Sequence, residues 1–364
     1  MKKILIVDWL DKFGGAERVI ASLERNFSFT EVYTLTNVME HKDLNKIFPN
    51  KKISIFQTPL KICGKRFRVL FFTFHYFISK IKISKDAGLI ISSSHAVAKG
   101  LKKSSRDQIH ICYFQARNFK YIWDETNLYF GILRYPLFPL IKLLRKIDVA
   151  QAQKPDVIIA NSKFVQNWIK EKYNRNSQVI YPPVDLKNFS ISENKKDYYV
   201  AVGRLVAYKR FDLVVQAFNK CGKKLYIIGD GAEMVKLQSM ANKNIVFTGF
   251  LQSDEVRQYI ESAKAFIHCG VEDFGIAPIE AQACGTPVIA YGKGGVLETV
   301  QDRITGILYK EQSIQSILEA ISVSETINFD SLNIRSNALR FSEENFDKSI
   351  QHFYHTVKSR LNKK

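Results

Sequence analysis

Two carboxylates eight positions apart, Glu272 and Glu280, bracket a glycine-bearing segment within VEDFGIAPIEAQACGTPVIA, residues 271–290. The pattern predicts a helix from about Ile276 to Cys284, stopped by Gly285. Phe274, Gly275 and Ile276 then present backbone N–H groups at a helix start, where anions bind. Glu272 falls in the loop and Glu280 on the helix, so one reaches a ligand from the loop and the other from the helix flank. Taken singly, each reads as a surface carboxylate, the usual fate of Glu. Taken together, they read as a site for a ligand carrying both an anion and hydroxyl groups. Directly after the apolar run YYVAV, GRLVAYKRFD sets Arg204 and Lys209 at a strand end. Two fixed cations there would stabilise a diphosphate that gains charge as its bond to a sugar breaks. Either cation alone also reads as a solvated charge, with Arg210 its solvent-facing neighbour.

Weaker signals precede these. In DKFGGAERVI, Gly14 and Gly15 read either as a loop that lets the backbone approach a phosphate before a helix near Ala16, or as an ordinary strand-to-helix turn. His95, in SSSHAVAKG at a strand end, reads as an acceptor contact or as a structural histidine. GDGAE at 229–233 lacks the third glycine of a dinucleotide fingerprint, which argues against NAD. No Asp-x-Asp pair in a suitable loop, no His-x-x-His and no cysteine cluster predicts a metal site. The five cysteines, at 63, 112, 221, 269 and 284, are too scattered for a zinc or redox motif and are expected to be reduced thiols.

The elements that must position these residues are short β-branched runs separated by helical patterns. Strands are predicted at 3–9, 31–36, 53–58, 88–94, 110–115, 157–162 and 178–183, then at 198–202, 224–229, 244–249, 265–268, 287–290 and 306–309. Alternation of this kind implies parallel sheets covered on both faces. The 364 residues are too many for one ordinary core. The predicted architecture is α/β: two Rossmann-like, doubly wound domains facing a cleft, residues 1–185 and 198–340, with a polar linker at 186–197. A final helical segment, 341–364, is expected to return to the first domain. The N-terminal MKKILIVD reads as a first strand and not a leader, because charge returns at Asp8. No apolar run is long enough to cross a membrane.

Charge is unevenly spread. Residues 1–200 hold 34 Lys+Arg against 17 Asp+Glu, and residues 201–364 hold 20 against 18. Within the first part, residues 51–85 interleave Lys61, Lys65, Arg66, Arg68, Lys80 and Lys82 with Phe67, Phe71, Phe72, Phe74 and Phe77. A basic helix with an aromatic face suits an anionic membrane surface. The same pattern arises when the aromatic face is core and the charges a solvated rim. Nucleic acid is not expected as a partner, since no helix-turn-helix, zinc-finger or RNA-motif signature accompanies the charge.

With these motifs in view, the chain resembles the retaining glycosyltransferases of family 4, of GT-B architecture, and within them bacterial polysaccharide and O-antigen mannosyltransferases. The resemblance runs through GGAE, SSSHAVAKG, NSKFV, YPPVD, GRL with Lys209, TGF at 248–250, the Glu272-to-Glu280 signature and GGVLE at 294–298. It implies that Arg204 and Lys209 hold the donor diphosphate, Glu280 the ribose, and Glu272 with the Phe274–Ile276 backbone the transferred sugar. It further implies that Gly14, Gly15 and Phe250 line the donor site and that Glu272, Arg204 and Lys209 carry the reaction. Relatives often have a histidine after the strand that here reads ICYF. This chain has QARNFKYIWD instead, leaving Gln115 and Lys120, with His95, as acceptor-side candidates. The implied activity is metal-independent transfer of a hexose, mannose from GDP-mannose being favoured and a UDP-hexose the alternative. The implied acceptor is a glycan on a lipid carrier in polysaccharide or lipopolysaccharide assembly, the protein being cytoplasmic and peripheral on the inner face of the plasma membrane. Two other classes remain open: a basic nucleic-acid- or membrane-binding protein without turnover, and a phosphorylase or epimerase of the same architecture.

Overall fold

The central strands of this chain are buried on both faces, which is why each reads as an unbroken apolar run, whereas the edge strands at 54–57 and 178–179 are largely exposed. In β1 (Lys2–Val7), Ile4 and Ile6 enter one core while Leu5 and Val7 enter the other. The computed structural model describes residues 2–49, 53–192 and 194–361. Lys51 and Lys52 of the basic segment, Glu193 of the polar stretch and residues 362–364 lie outside them. The chain divides into two units, Met1–Pro183 with Phe346–Lys364, and Val184–Asn345.

The first unit adds β2 (Glu31–Thr34), β3 (Ser54–Gln57), β4 (Ala87–Ser94), β5 (Ile109–Phe114), β6 (Val157–Ala160) and β7 (Gln178–Val179). They form one sheet in the order β3-β2-β1-β4-β5-β6-β7, parallel throughout. β7 is shorter than the predicted 178–183 because Pro182 and Pro183 have no N–H to give a ladder. The helix Glu343–Leu361 covers one face, burying Phe346, Ile350 and Val357 with Leu23 and Phe27. Asp347 anchors it by accepting from Arg25 Nε at 3.0 Å and Asn26 Nδ2 at 2.6 Å.

The second unit holds β8 (Tyr199–Val202), β9 (Leu225–Ile228), β10 (Ile245–Gly249), β11 (Ala265–His268), β12 (Val288–Tyr291) and β13 (Gly306–Tyr309), ordered β10-β9-β8-β11-β12-β13 and again all parallel. Residues 186–197 are fastened to this unit. Lys195 Nζ donates to Glu261 O at 2.8 Å and Thr286 Oγ1 at 2.8 Å, and Lys196 N donates to Ser262 O at 2.7 Å. Each unit is thus a doubly wound, Rossmann-like parallel sheet, as the sequence predicts.

The basic, aromatic segment differs from the single amphipathic helix its sequence suggests. It is a tight 3₁₀ stretch, Pro59–Thr73, interrupted by Gly64 at φ 50° and by Leu70, followed by a short helix, Phe74–Lys80. Phe67, Phe74 and Ile78 are buried against Trp9, with ring centroids 5.5 Å (Phe67) and 5.8 Å (Phe74) from the indole. Most of its aromatic face is therefore core.

A buried amide network clamps the helix Ile276–Ala283 to the helix Ser331–Leu339. Asn337 Nδ2 donates to Gln282 Oε1 at 2.6 Å and Thr299 O at 2.8 Å, while Gln282 Nε2 donates to Thr299 O at 2.9 Å. Replacing Asn337 by Leu strands the fully buried Gln282 Oε1. The expected loss is about 1–3 kcal/mol of stability, read from the urea midpoint.

Candidate active site

In each sheet the strand order reverses once, between β1 and β4 and between β8 and β11. Loops leaving the carboxyl ends of two such strands turn to opposite faces and open a crevice. In the second unit those loops carry the predicted residues. Lys209, after β8, places Nζ 2.7 Å from Oε1 of Glu272, after β11. Both side chains are only about a fifth exposed. Glycines make the approach possible: a Cβ at Gly203 would lie 2.7 Å from Lys209 Nζ, and one at Gly270 would lie 2.9 Å from Lys209 Cα.

Glu272 leads directly into the helix start. Gly275, the N-cap of the helix Ile276–Ala283, adopts φ 92°, a conformation that favours glycine, and as glycine it brings no side chain to cap the first turn. Phe274 is buried and packs edge-on to Phe341 at 5.5 Å, so it is its backbone, not its ring, that stands at the helix start. Glu280 is half-buried on the helix, while Arg204 and Phe250 are exposed. Behind Glu272, His268 is buried, and that burial lowers its pKa against the opposing pull of Glu272. It is held neutral, so the ammonium of Lys209 has no cationic neighbour from it.

Two glycines that support this loop have no role assigned from the sequence. Gly294 pairs with Glu272 as a lone parallel bridge, and Gly295 N donates to Glu272 O at 2.8 Å. A Cβ at Gly294, where φ is 86°, would lie 2.5 Å from Glu272 O, and one at Gly295 would collide with Phe274 Cα. GGVLE was visible as a motif, but a contact spanning 22 residues has no local signal.

In the first unit the reversal point is built around Asp8, a buried residue that the sequence analysis did not single out. Its Oδ2 accepts from His95 N at 2.6 Å and Ala96 N at 2.9 Å, and its Oδ1 from Val97 N and Ala98 N, each at 2.6 Å. His95 Nδ1 lies 3.3 Å from Oδ2, and the Trp9 ring packs edge-on to the imidazole at 4.3 Å. His95, Gln115 and Lys120 meet at this edge: Phe119 N donates to His95 O at 2.9 Å, and Gln115 Nε2 donates to Ser93 Oγ at 2.9 Å and Ala16 O at 3.4 Å. Lys120 Nζ lies 3.9 Å from Glu125. Gly14 is extended at φ −156°, so its conformation makes no demand for glycine, and Gly15 opens the helix Gly15–Phe27.

Glu17, in the first turn of that helix, is buried, and burial pushes its carboxyl up to about 7, with Asp11 adding to the rise and the backbone N–H groups opposing it. Among the described residues, no three His, Cys, Asp or Glu side chains gather closely enough to hold a metal ion.

Three outcomes follow from this geometry. Gly294→Ala, which displaces Glu272 without touching the sheet core, should keep its far-UV circular dichroism and lose roughly a hundredfold in turnover. Asp8→Ala leaves four buried N–H groups without their acceptor and should cost more than about 2 kcal/mol in denaturant unfolding. For Glu17 the folded carboxyl binds its proton more tightly than the unfolded one. Its contribution is therefore complete below the unfolded value and declines as pH rises towards 7. Glu17→Gln should flatten that decline in melting temperature between about pH 4.5 and 7.

Comparison with known proteins supplies the context. Residues 185–338 match the family described as glycosyl transferases group 1. An uncharacterised glycosyltransferase of Methanocaldococcus jannaschii is 29% identical over 196 residues, 52% of this chain and 55% of that protein. A GDP-mannose-dependent α-(1-6)-phosphatidylinositol monomannoside mannosyltransferase of Mycobacterium tuberculosis is 32% identical over 141 residues, 34% of this chain and 37% of its own length. The chain spans about half the length, or less, of these curated relatives. Among solved structures, Anabaena HepE in complex with UDP superposes with a TM-score of 0.71 at 19% identity, covering 97% of this chain and 100% of that one. The matched residues take in Lys209, Glu272 and the Gly275 helix start, so the second unit is similar to glycosyl transferases group 1, and the chain that carries it has the GT-B fold.

Proposed function

We propose that this protein is a retaining hexosyltransferase that moves a hexose from a nucleotide diphosphate sugar to an acceptor hydroxyl. The carrying observation is the 2.7 Å contact of Lys209 with Glu272 at the strand-order reversal, beside an uncapped helix start. Lys209 and the backbone N–H groups near Gly275 stabilise charge on the departing diphosphate, with Arg204 as the second cation. Glu272 orients the transferred sugar and Glu280 the ribose. The acceptor oxygen attacks from the face the diphosphate leaves, and the departing phosphate oxygen takes its proton, so configuration is retained. Gly14, Gly15 and Phe250 complete the donor site, and His95, Gln115 and Lys120 serve the acceptor.

A UDP-hexose is the favoured donor, supported by the full-length likeness to a UDP-bound protein. GDP-mannose is the second reading, supported by the mannosyltransferase that matches at 32% identity. That relative's lipid substrate and the basic first unit support a lipid-linked glycan acceptor, polysaccharide or lipopolysaccharide assembly, and work at the inner membrane face.

Thermal stabilisation by UDP, GDP, ADP and their sugars, with EDTA present, tests donor class and metal independence together. One nucleotide at 100 times its dissociation constant should add about 2.7 kcal/mol. Lys209→Ala and Arg204→Ala should each lower kcat by about 10²–10³-fold. Folded variants that turn over like the wild type would remove the proposed mechanism.

A further inference from the structure

We propose that one face of the first unit, built by residues 126–146 against residues 59–82, docks on the surface of an anionic lipid bilayer. It begins where the chain leaves regular helix. After the short helix Thr126–Phe130, Gly131 takes φ 50° and the chain folds through Gly131–Arg134 into the helix Phe138–Ala152. The tip presents Ile132 at 85% exposure, Leu133 at 65%, Tyr135 at 66% and Phe138 at 56%. It is firmly rooted, for Phe130 packs on Phe71 at 5.6 Å and Ile141 and Leu144 are buried in the core beneath. These side chains are thus apolar groups on a supported surface, and water is a poor partner for so many together.

Charge says what covers them. Residues 126–147 contain no Asp or Glu, and neither do residues 53–85. Lys142 and Lys146 are exposed on the first segment, and Lys61, Lys65, Arg66 and Lys80 on the second. Aliphatic tips on two segments whose exposed charges are all cations match the acyl boundary and phosphate layer of a bilayer. A second copy would bring the same positive face and repel it. Nucleic acid could stack on Tyr135 and Phe138, but it would leave the aliphatic Ile132 and Leu133 in water, which a lipid surface covers. No described helix is long and apolar enough to span, so the contact is interfacial. This deepens the membrane part of the function proposed above and does not depend on the donor.

The experiment is co-sedimentation of the full chain with vesicles of two parts phosphatidylcholine to one part phosphatidylglycerol, against pure phosphatidylcholine, with nucleotide-induced thermal shifts measured in parallel. The wild type should pellet with the anionic vesicles and lose binding as salt rises. An Ile132→Ser, Leu133→Ser, Phe138→Ser variant should lose roughly tenfold or more in partition. A Lys65→Gln, Arg66→Gln, Lys142→Gln variant should lose roughly a hundredfold at low salt, at about fivefold per cation. Both should keep the nucleotide shift. The proposal is overturned if the wild type stays in the supernatant, or if both variants pellet like it. It is equally overturned if the apolar variant instead dissolves a dimer, or if the basic variant loses duplex DNA binding while holding vesicles. Vesicle binding without any nucleotide shift would sink the transferase reading and leave this one standing.

Discussion

A lysine and a glutamate meet where the strand order of the second sheet reverses, and the site depends on that one contact. Elsewhere in a doubly wound sheet, neighbouring loops turn to the same side and a helix covers their strand ends. Between β8 and β11 they part, and only there can side chains from two loops face each other across open space. Lys209 and Glu272 use that space at 2.7 Å. The pair is partly exposed, so its worth to stability is small. Its worth lies in orientation: the carboxylate fixes where the lysine Nζ sits, and under the function proposed above an arriving diphosphate would meet a cation already aimed. Glycine at 203, 270, 294 and 295 serves this placement, since a Cβ at each would press on the lysine or on the loop.

The first unit solves the same geometric problem with a different economy of charge. Asp8 gathers four N–H groups from 95–98, converting the opening of a loop into a rigid ring around one buried anion. A second buried charge stiffens the far side of that loop: Lys99 Nζ lies 2.6 Å from Asp148 Oδ1, and Asp148 also accepts from Trp123 Nε1 at 2.8 Å and Tyr173 OH at 2.6 Å. Removing either member would leave an uncompensated charge in the interior. His95 is held by Asp8 and by the edge-on ring of Trp9, so the fold sets its ring position.

How much of this was legible depended on whether the signal was local. Strands buried on both faces must be continuous apolar runs, so their positions could be read to within a few residues, failing chiefly at 178–183, where prolines end the ladder. Glu272 and Gly275 within 271–280, and Lys209 within 203–209, could be singled out because chemistry and spacing coincide inside each short motif; that the two motifs meet has no local signal. Asp8, Glu17 and the 294–295 glycines were not given roles. Asp8 is one aspartate after a strand, and only the fold brings 95–98 over it. Glu17 is an ordinary first-turn glutamate until burial raises its pKa. The glycines act on a loop that is distant in sequence.

The aromatic segment shows the limit from the other side. Alternating cations and phenylalanines at 61–82 is the pattern of a surface helix and equally of a core-facing one, because amphipathicity reports that two faces differ and not which medium each meets. The deciding fact is long-range. Trp9, two residues beyond β1, offers a ring wall that takes Phe67 and Phe74, and these turn inward while Ile62, Val69 and Phe72 stay exposed. The neighbouring 126–146 stretch has no such wall above its tip. Its inner residues Ile141 and Leu144 satisfy the core, and Ile132 and Leu133, carried past it by the turn at Gly131, remain in solvent. The first segment thus sends Phe67 and Phe74 into the core because Trp9 reaches them, while the tip of the second stays in solvent.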